Sequence, residues 1–129
     1  MIRHLSTDKA PPPFSRYSQA VEVPAGSRLV LVSGQVGVGP DGKLAVTPEG
    51  QHETAWRNVL AILASAGLGP RDIAEVTAYV TDPSGVPLYR EVRDRMLGDA
   101  APASTLIVVA GLADPRWRVE IAAVAAAKA

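Results

Sequence analysis

The chain has 129 residues, a formal net charge of zero and no cysteine. This length predicts one domain, residues 1–129, with a core of its own. The composition excludes disulfide bonds, thiolate metal ligands and a cysteine nucleophile, and the neutral charge provides no basic field for nucleic acid. The longest apolar run is too short to span a membrane, and the first residues lack the apolar core of a signal peptide. We therefore expect a cytoplasmic protein without nucleic-acid or membrane partners.

Three strands are predicted before the first helix. They cover residues 2–5, 17–21 and 29–36. In the third, Ser33 and Gly34 interrupt a β-branched run. A glycine there either marks a bulge or lets another group approach the backbone closely. Together with Tyr17 on the neighbouring strand, these residues would line a pocket for a small polar ligand.

Two helices and further strands are predicted in the rest of the chain. Thr47 and Pro48 suit the N-cap and first position of one helix, and Gly67 suits its C-terminal end. A second helix follows Asp82 and Pro83. The further strands cover residues 73–81, 104–110 and 117–126, with a brief edge strand at 44–46.

The predicted order is β-β-β-α-β-α-β-β, which indicates an α+β domain with two helices on one face of a sheet. A sheet covered on one face should alternate polar and apolar residues. Residues 29–32, 106–109 and 119–124 are instead nearly apolar on both sides. We therefore predict that the second face is buried against other subunits of an oligomer.

Six short segments stand in the order and spacing of one known family. They are Tyr17-Ser18-Gln19-Ala20, Val32-Ser33-Gly34-Gln35, Ala66-Gly67-Leu68, Val80-Thr81-Asp82, Ala101-Pro102-Ala103-Ser104-Thr105 and Val119-Glu120-Ile121. The chain resembles the RidA (YjgF/YER057c/UK114) family along nearly its whole length. The resemblance implies a chorismate-mutase-like α+β fold and a homotrimer with a central β-barrel, helices outside and three clefts between subunits.

The resemblance also implies a function. Characterised members hydrolyse reactive enamines and imines, such as 2-aminoacrylate, to a 2-keto acid and ammonia without a cofactor. The first hypothesis is therefore a cofactor-free deaminase-type hydrolase whose ligand is a small carboxylate or imine. A second is a protein that binds or senses a small metabolite without converting it. Ribonuclease activity, also attached to the family, is disfavoured by the neutral charge and by the lack of a histidine pair for acid–base chemistry.

The family pattern implies which residues form the site. Glu120 and Tyr17 are the predicted catalytic residues, and the predicted ligand-binding residues are Ser33, Gly34, Ala103, Thr105, Arg90 and Arg118. The family binds its substrate's carboxylate with an arginine in a Pro-Ala-Arg-Ser segment, and Ala103 stands at that position here. Losing this guanidinium would weaken the binding of 2-imino acids. Arg16, Arg90 or Arg118 is a hypothetical replacement; Arg90 stands where the family often has asparagine.

Each candidate also has a purely structural interpretation. Glu120, in the middle of an apolar strand, either orients water or an amine at a cleft or has a structural role, as an ion pair, for instance with Arg118, or as a residue of an exposed edge face. Tyr17 is either a ligand contact or a packing residue. His4 and His52 have no metal-binding spacing, so we predict no metal site and expect both at the surface.

Overall fold

The computed structural model describes residues 2–129 and has the predicted order of strands and helices. The elements are β1 Arg3–Leu5, β2 Ala20–Glu22, β3 Arg28–Gln35, α1 Pro48–Ser65, β4 Ile73–Val80, α2 Gly85–Leu97, β5 Ala103–Val108 and β6 Val119–Ala127. The α+β class is thereby confirmed. Among these described elements, no helix combines the length and the hydropathy that a membrane crossing requires.

Helix α1 begins and ends where its capping residues predict. The Thr47 hydroxyl oxygen accepts a hydrogen bond from the Gly50 amide at 3.0 Å, which satisfies one free amide of the first turn. At the other end Gly67 has a φ of 74°, and its amide and the next one donate to carbonyls of the last turn. Because these signals are local, the sequence placed both ends correctly.

The main sheet has four strands in the order β3-β6-β4-β5. Strand β6 is antiparallel to both β3 and β4, whereas β4 and β5 are parallel and are joined through α2. Strands β1 and β2 form a separate antiparallel pair. In the main sheet, β3 and β5 are therefore the two opposite edges.

Both helices pack on one face of this sheet. The core contains Trp56, Val59 and Leu63 of α1, Tyr89 and Val92 of α2, and Val76, Val80, Val119, Ile121 and Ala123 of the sheet. Alternate residues of β6 are buried in it, as expected for a strand with one face on the core. Burial of these apolar side chains is what holds the helices on the sheet.

The opposite face of the sheet carries apolar side chains that the chain itself leaves uncovered. We call it the open face, and it includes Leu29, Leu31, Tyr79, Ile107 and Val124. Leu31 is 73% exposed and Leu29 is 56% exposed. An apolar surface of this kind is typical of a protein–protein contact. The homotrimer with a central barrel stays a prediction.

Four local predictions were wrong. Asp82 does not cap α2, which begins at Gly85 after Ser84, because the Asp82 carboxylate accepts hydrogen bonds from the Ser84 amide and hydroxyl in the turn before the helix. Residues 44–46 form no strand, since Leu44 makes only an isolated bridge with Val38. The predicted strand at 17–21 is a strand only from Ala20, because the backbone at Ser18 is held by Pro102 and Ala103 and does not pair with β1. His52 is not at the surface but 1% exposed, because it lies on the buried side of α1.

Candidate functional site

The interruption at Ser33 and Gly34 is a β-bulge. Val32 pairs with Ala123 and Gln35 pairs with Ile121, so two residues of β3 lie opposite one residue of β6. A bulge bends its strand and redirects side chains locally. The backbone of Ser33 and Gly34 therefore lies exposed near the end of β3, an edge strand of the sheet.

Glu120 packs directly over this bulge. A Cβ atom on Gly34 would lie 2.8 Å from the Glu120 Cδ and 2.9 Å from its Cγ, so any other residue at this position would displace the carboxylate from where it lies. Both alternatives for Gly34 therefore occur together: it marks a bulge and it allows a close approach. Glu120 lies between the buried Val119 and Ile121 and so projects from the open face.

The Glu120 carboxylate makes no ion pair with any of residues 2–129. The structural alternative, a pair with Arg118, is therefore not observed. We refer to Ser33, Gly34 and Glu120 as the bulge site. A half-buried carboxylate beside open backbone is chemically suited to orient a water molecule or an amine.

A second group of polar residues surrounds a cavity of about 170 Å³ at the β5 edge of the sheet. We call it the Tyr17 cavity; its lining residues are Phe14, Ser15, Tyr17, Arg90, Arg93, Ser104 and Leu106. The fold thus brings Tyr17 and Arg90, both predicted from the sequence, to one place. It also adds Arg93 and Ser104, which were not predicted.

Tyr17 reaches the cavity from an irregular segment that is attached to β5. The Ser18 amide donates to the Pro102 carbonyl at 3.1 Å, and Ser18 forms an isolated parallel bridge with Ala103. The Tyr17 hydroxyl oxygen accepts a hydrogen bond from the Phe14 amide at 3.2 Å. These bonds hold the phenol at the mouth of the cavity.

Arg93 is the buried cation of this site, with only 5% of its side chain exposed. Its Nε and Nη2 donate to one oxygen of Asp94 at 3.1 and 3.0 Å, and its guanidinium lies 5.7 Å from the centre of the Tyr89 ring. Burial raises the pKa of Tyr89, so that ring remains neutral. Arg93 stands four residues after Tyr89 in the sequence, a spacing that places both residues on the same side of a helix.

Strand alternation decides which residues of β5 face the cavity. Ser104 and Leu106 line it, so Ala103 and Thr105 project toward the open face. Ala103 had been expected at the position of the family's arginine, and this prediction was wrong: counted from Pro102-Ala103, the third residue of a Pro-Ala-Arg-Ser segment is Ser104, and Ser104 is the residue that lines the cavity with Tyr17. Neither residue supplies a guanidinium.

Two further arginine candidates lie elsewhere. Arg118 precedes β6 and lies near Asp82, whose pKa is lowered mainly by hydrogen bonds from Ser84 and to a smaller extent by the Arg118 charge. The Arg16 guanidinium donates to the Gly98 carbonyl at 2.7 Å, at the C-terminal end of α2. Neither arginine lines the Tyr17 cavity.

The bulge site and the Tyr17 cavity are separate within one chain. Glu120 lies on β6, two strand spacings or roughly 10 Å from β5. It also projects from the open face, whereas Ser104 faces the helices. Each chain therefore carries two groups of candidate residues at different edges of its sheet.

The part of the chain that the structure covers, residues 2–129, contains no cluster of three acidic or histidine side chains suited to a metal ion. His4 is exposed on β1 and His52 is buried in α1. The two histidines therefore do not form a pair for acid–base chemistry.

The fold and these residues define a class: a small α+β domain with an open sheet face and a polar cavity sized for a small metabolite. Comparison with known proteins then identifies the family. The family pattern described as Endoribonuclease L-PSP matches residues 7–127, and the chain belongs to the RidA/YjgF family.

Three similar proteins illustrate the match. A RutC family protein of Aquifex aeolicus is 44% identical over 82 residues, which is 63% of each chain. The 2-iminobutanoate/2-iminopropanoate deaminase of Mus musculus is 34% identical over 125 residues, covering 94% of this chain and 88% of that protein. The crystal structure of the Rid family protein YyfB from Yersinia pestis, described as of unknown function, superposes with a TM-score of 0.86 at 26% identity and covers 98% of both chains.

Proposed function

We propose that this protein is a cofactor-free hydrolase that converts small imines or enamines to a 2-keto acid and ammonia. The observation that carries the proposal is the Glu120 carboxylate, which lies over Gly34 on the open face without an ion-pair partner among residues 2–129. The similarity to a mouse protein named 2-iminobutanoate/2-iminopropanoate deaminase supports the same reaction class.

The proposed reaction adds water across the C=N bond. Glu120 takes a proton from water as the water oxygen forms a bond to the imine carbon, and it passes this proton to the nitrogen, which receives the electron pair of the C=N π bond, to give a carbinolamine. In the second step Glu120 accepts the carbinolamine hydroxyl proton as the C=O bond forms. It gives this proton to the nitrogen, which leaves as ammonia with the electron pair of the C–N bond. Backbone amides at Gly34 would stabilise charge that develops on the substrate.

The proposed active unit is a homotrimer, because the bulge site lies at the β3 edge of the sheet and the Tyr17 cavity lies at the opposite, β5 edge. A ring of three chains uses a heterologous interface, in which one edge of a subunit meets the other edge of its neighbour. With the open faces turned inward, the β3 edge of one chain would lie beside the β5 edge of the next. The bulge site of one chain would then complete the Tyr17 cavity of another.

The proposal is tested by generating 2-iminopropanoate in place with an amino-acid oxidase and measuring ammonia release. We expect the protein to accelerate release over buffer, and Glu120→Gln to lower the rate by roughly a hundredfold. Glu91→Gln is the matched control, because Glu91 is exposed on α2 and lines neither group of residues. Equal rates for Glu120→Gln and the unmodified protein would remove Glu120 from the mechanism.

A second candidate function, binding of a small metabolite without turnover, is favoured by the absence of an arginine on β5. Binding of 2-keto acids with no acceleration of imine hydrolysis would establish it and contradict the hydrolase. The placement of the two histidines gives no support to a ribonuclease mechanism.

A further inference from the structure

The Tyr17 cavity carries more positive charge than its neighbours neutralise. Arg90 and Arg93 both line it, whereas Asp94 is the acid that pairs with Arg93. Among residues 2–129, no acid group forms an ion pair with Arg90. Within one chain these three groups leave one uncompensated positive charge, on Arg90, which suits the negatively charged end of a ligand.

We propose that Arg90 and Arg93, both on α2, bind the carboxylate of the ligand in this protein. The anionic class follows from the cavity alone, and the identification of the acid as a 2-keto or 2-imino acid rests on the proposed function. Tyr17 and Ser104 line the same space and offer hydroxyl groups to the carboxylate or to the adjacent carbonyl or imine. The cation thus comes from a helix and not from β5.

The two arginines are placed for different parts of this task. They are three residues apart, which puts them on the same side of a helix. Arg93 is fixed by its two hydrogen bonds to Asp94 and by the Tyr89 ring, so little conformational freedom is lost when an anion binds. Arg90 is half-buried with no ion pair of its own, and it is the residue that we assign to direct contact with the carboxylate.

The cavity has room for a small ligand. Its volume within one chain is about 170 Å³, and a keto acid with a three- or four-carbon chain is a compact molecule of this scale. The neighbouring chain of the proposed trimer would border the same space, so the volume of one chain sets no upper limit on the ligand.

The experiment measures binding of 2-oxobutanoate and of its methyl ester by titration calorimetry, without any catalytic step. We expect the acid to bind at least roughly tenfold more tightly than the ester, because the ester lacks the charge. Arg90→Gln should remove that difference and Arg90→Lys should retain part of it. Arg57→Gln, which changes an exposed arginine on α1, should leave both affinities unchanged.

Arg93 is tested with Arg93→Lys, since lysine keeps the charge beside Asp94 but cannot donate the same two bonds. If the thermal unfolding midpoint shows that Arg93→Lys folds normally, we expect this variant to bind the acid more weakly and the ester as tightly as the unmodified protein does. Unchanged binding of the acid would remove Arg93 from the site. No detectable binding of the acid to the unmodified protein, or equal affinity for acid and ester, would overturn the inference. Tight, Arg90-dependent binding without ammonia release would uphold it while the proposed hydrolase fails.

Discussion

At the scale of single residues, Gly34 determines where the Glu120 carboxylate can lie. Gly34→Ala would place a methyl group 2.8 Å from Glu120 Cδ, so we expect the carboxylate to be displaced. Because the atoms in contact are the far end of a flexible, half-buried side chain, this displacement should cost little stability. Ammonia release from 2-iminopropanoate should fall at least roughly tenfold, since a small displacement of a reacting group has large kinetic effects.

The matched control for Gly34→Ala is Gly111→Ala, because a Cβ atom on Gly111 meets nothing within 4 Å. This variant should retain both stability and rate. Full activity of Gly34→Ala would show that the close approach of Glu120 to the bulge has no functional role.

His52 should make stability depend on pH. Burial lowers its pKa from the ordinary value of 6.5, partly opposed by its hydrogen bond to the Pro48 carbonyl. The folded protein therefore holds His52 neutral, while the unfolded chain takes up a proton below about pH 6.5. The free energy of unfolding should decrease as pH falls from about 7 to about 5, as measured by urea denaturation. This slope should be smaller in His52→Gln than in the unmodified protein; equal slopes in the two proteins would contradict the assignment.

At the scale of secondary-structure elements, Thr47 anchors the start of α1. Its side chain is exposed and its hydroxyl oxygen accepts from the Gly50 amide, so Thr47→Ala removes the cap without disturbing the core. We expect a loss of roughly 1 kcal/mol in the free energy of unfolding. Thr47→Ser keeps the acceptor and should retain most of the stability in the same urea denaturation. A Thr47→Ala variant as stable as the unmodified protein would show that the cap contributes nothing.

The sequence predicted elements well where the signals are local. The caps at Thr47 and Gly67 lie within a few residues of the helix ends that they determine, so both ends could be assigned correctly. The strand around Tyr17 was misplaced because its backbone is held by partners distant in the chain, such as Pro102. Propensity alone does not contain such contacts.

In the candidate site, too, features that depend on neighbouring residues were predicted, and features that depend on contacts between distant elements were not. The bulge at Gly34 and the close approach of another group followed from a glycine in a β-branched run. The side of β5 that faces Tyr17 was misassigned, because the position of the family's arginine was placed one residue too early in Pro102-Ala103-Ser104-Thr105, and a one-residue difference exchanges the two faces of a strand. Ser104 therefore lines the cavity where Ala103 was expected. The burial of Arg93 depends on Asp94 and on the packing of α2, which composition does not reveal.

At the scale of the whole molecule, the uncovered face of the sheet is the feature that a single chain leaves unexplained. Leu29 and Leu31 are more than half exposed there, and burying one leucine side chain contributes about 1.5–3 kcal/mol. The same face carries Glu120. Assembly and activity should therefore depend on each other, since the contact that covers the leucines would also bring Glu120 close to a neighbouring chain.

This dependence predicts the behaviour of Leu31→Asp. The unmodified protein should have a mass three times the chain mass of 13.5 kDa in light scattering coupled to size-exclusion chromatography. A charge at position 31 would be desolvated in the proposed interface, so the variant should be largely monomeric and should lose imine hydrolysis. Val46→Asp is the matched control, because Val46 is 96% exposed and lies outside the sheet; it should remain trimeric and active. A monomeric unmodified protein that hydrolyses the imine at full rate would contradict both the assembly and the proposal that two chains share one site.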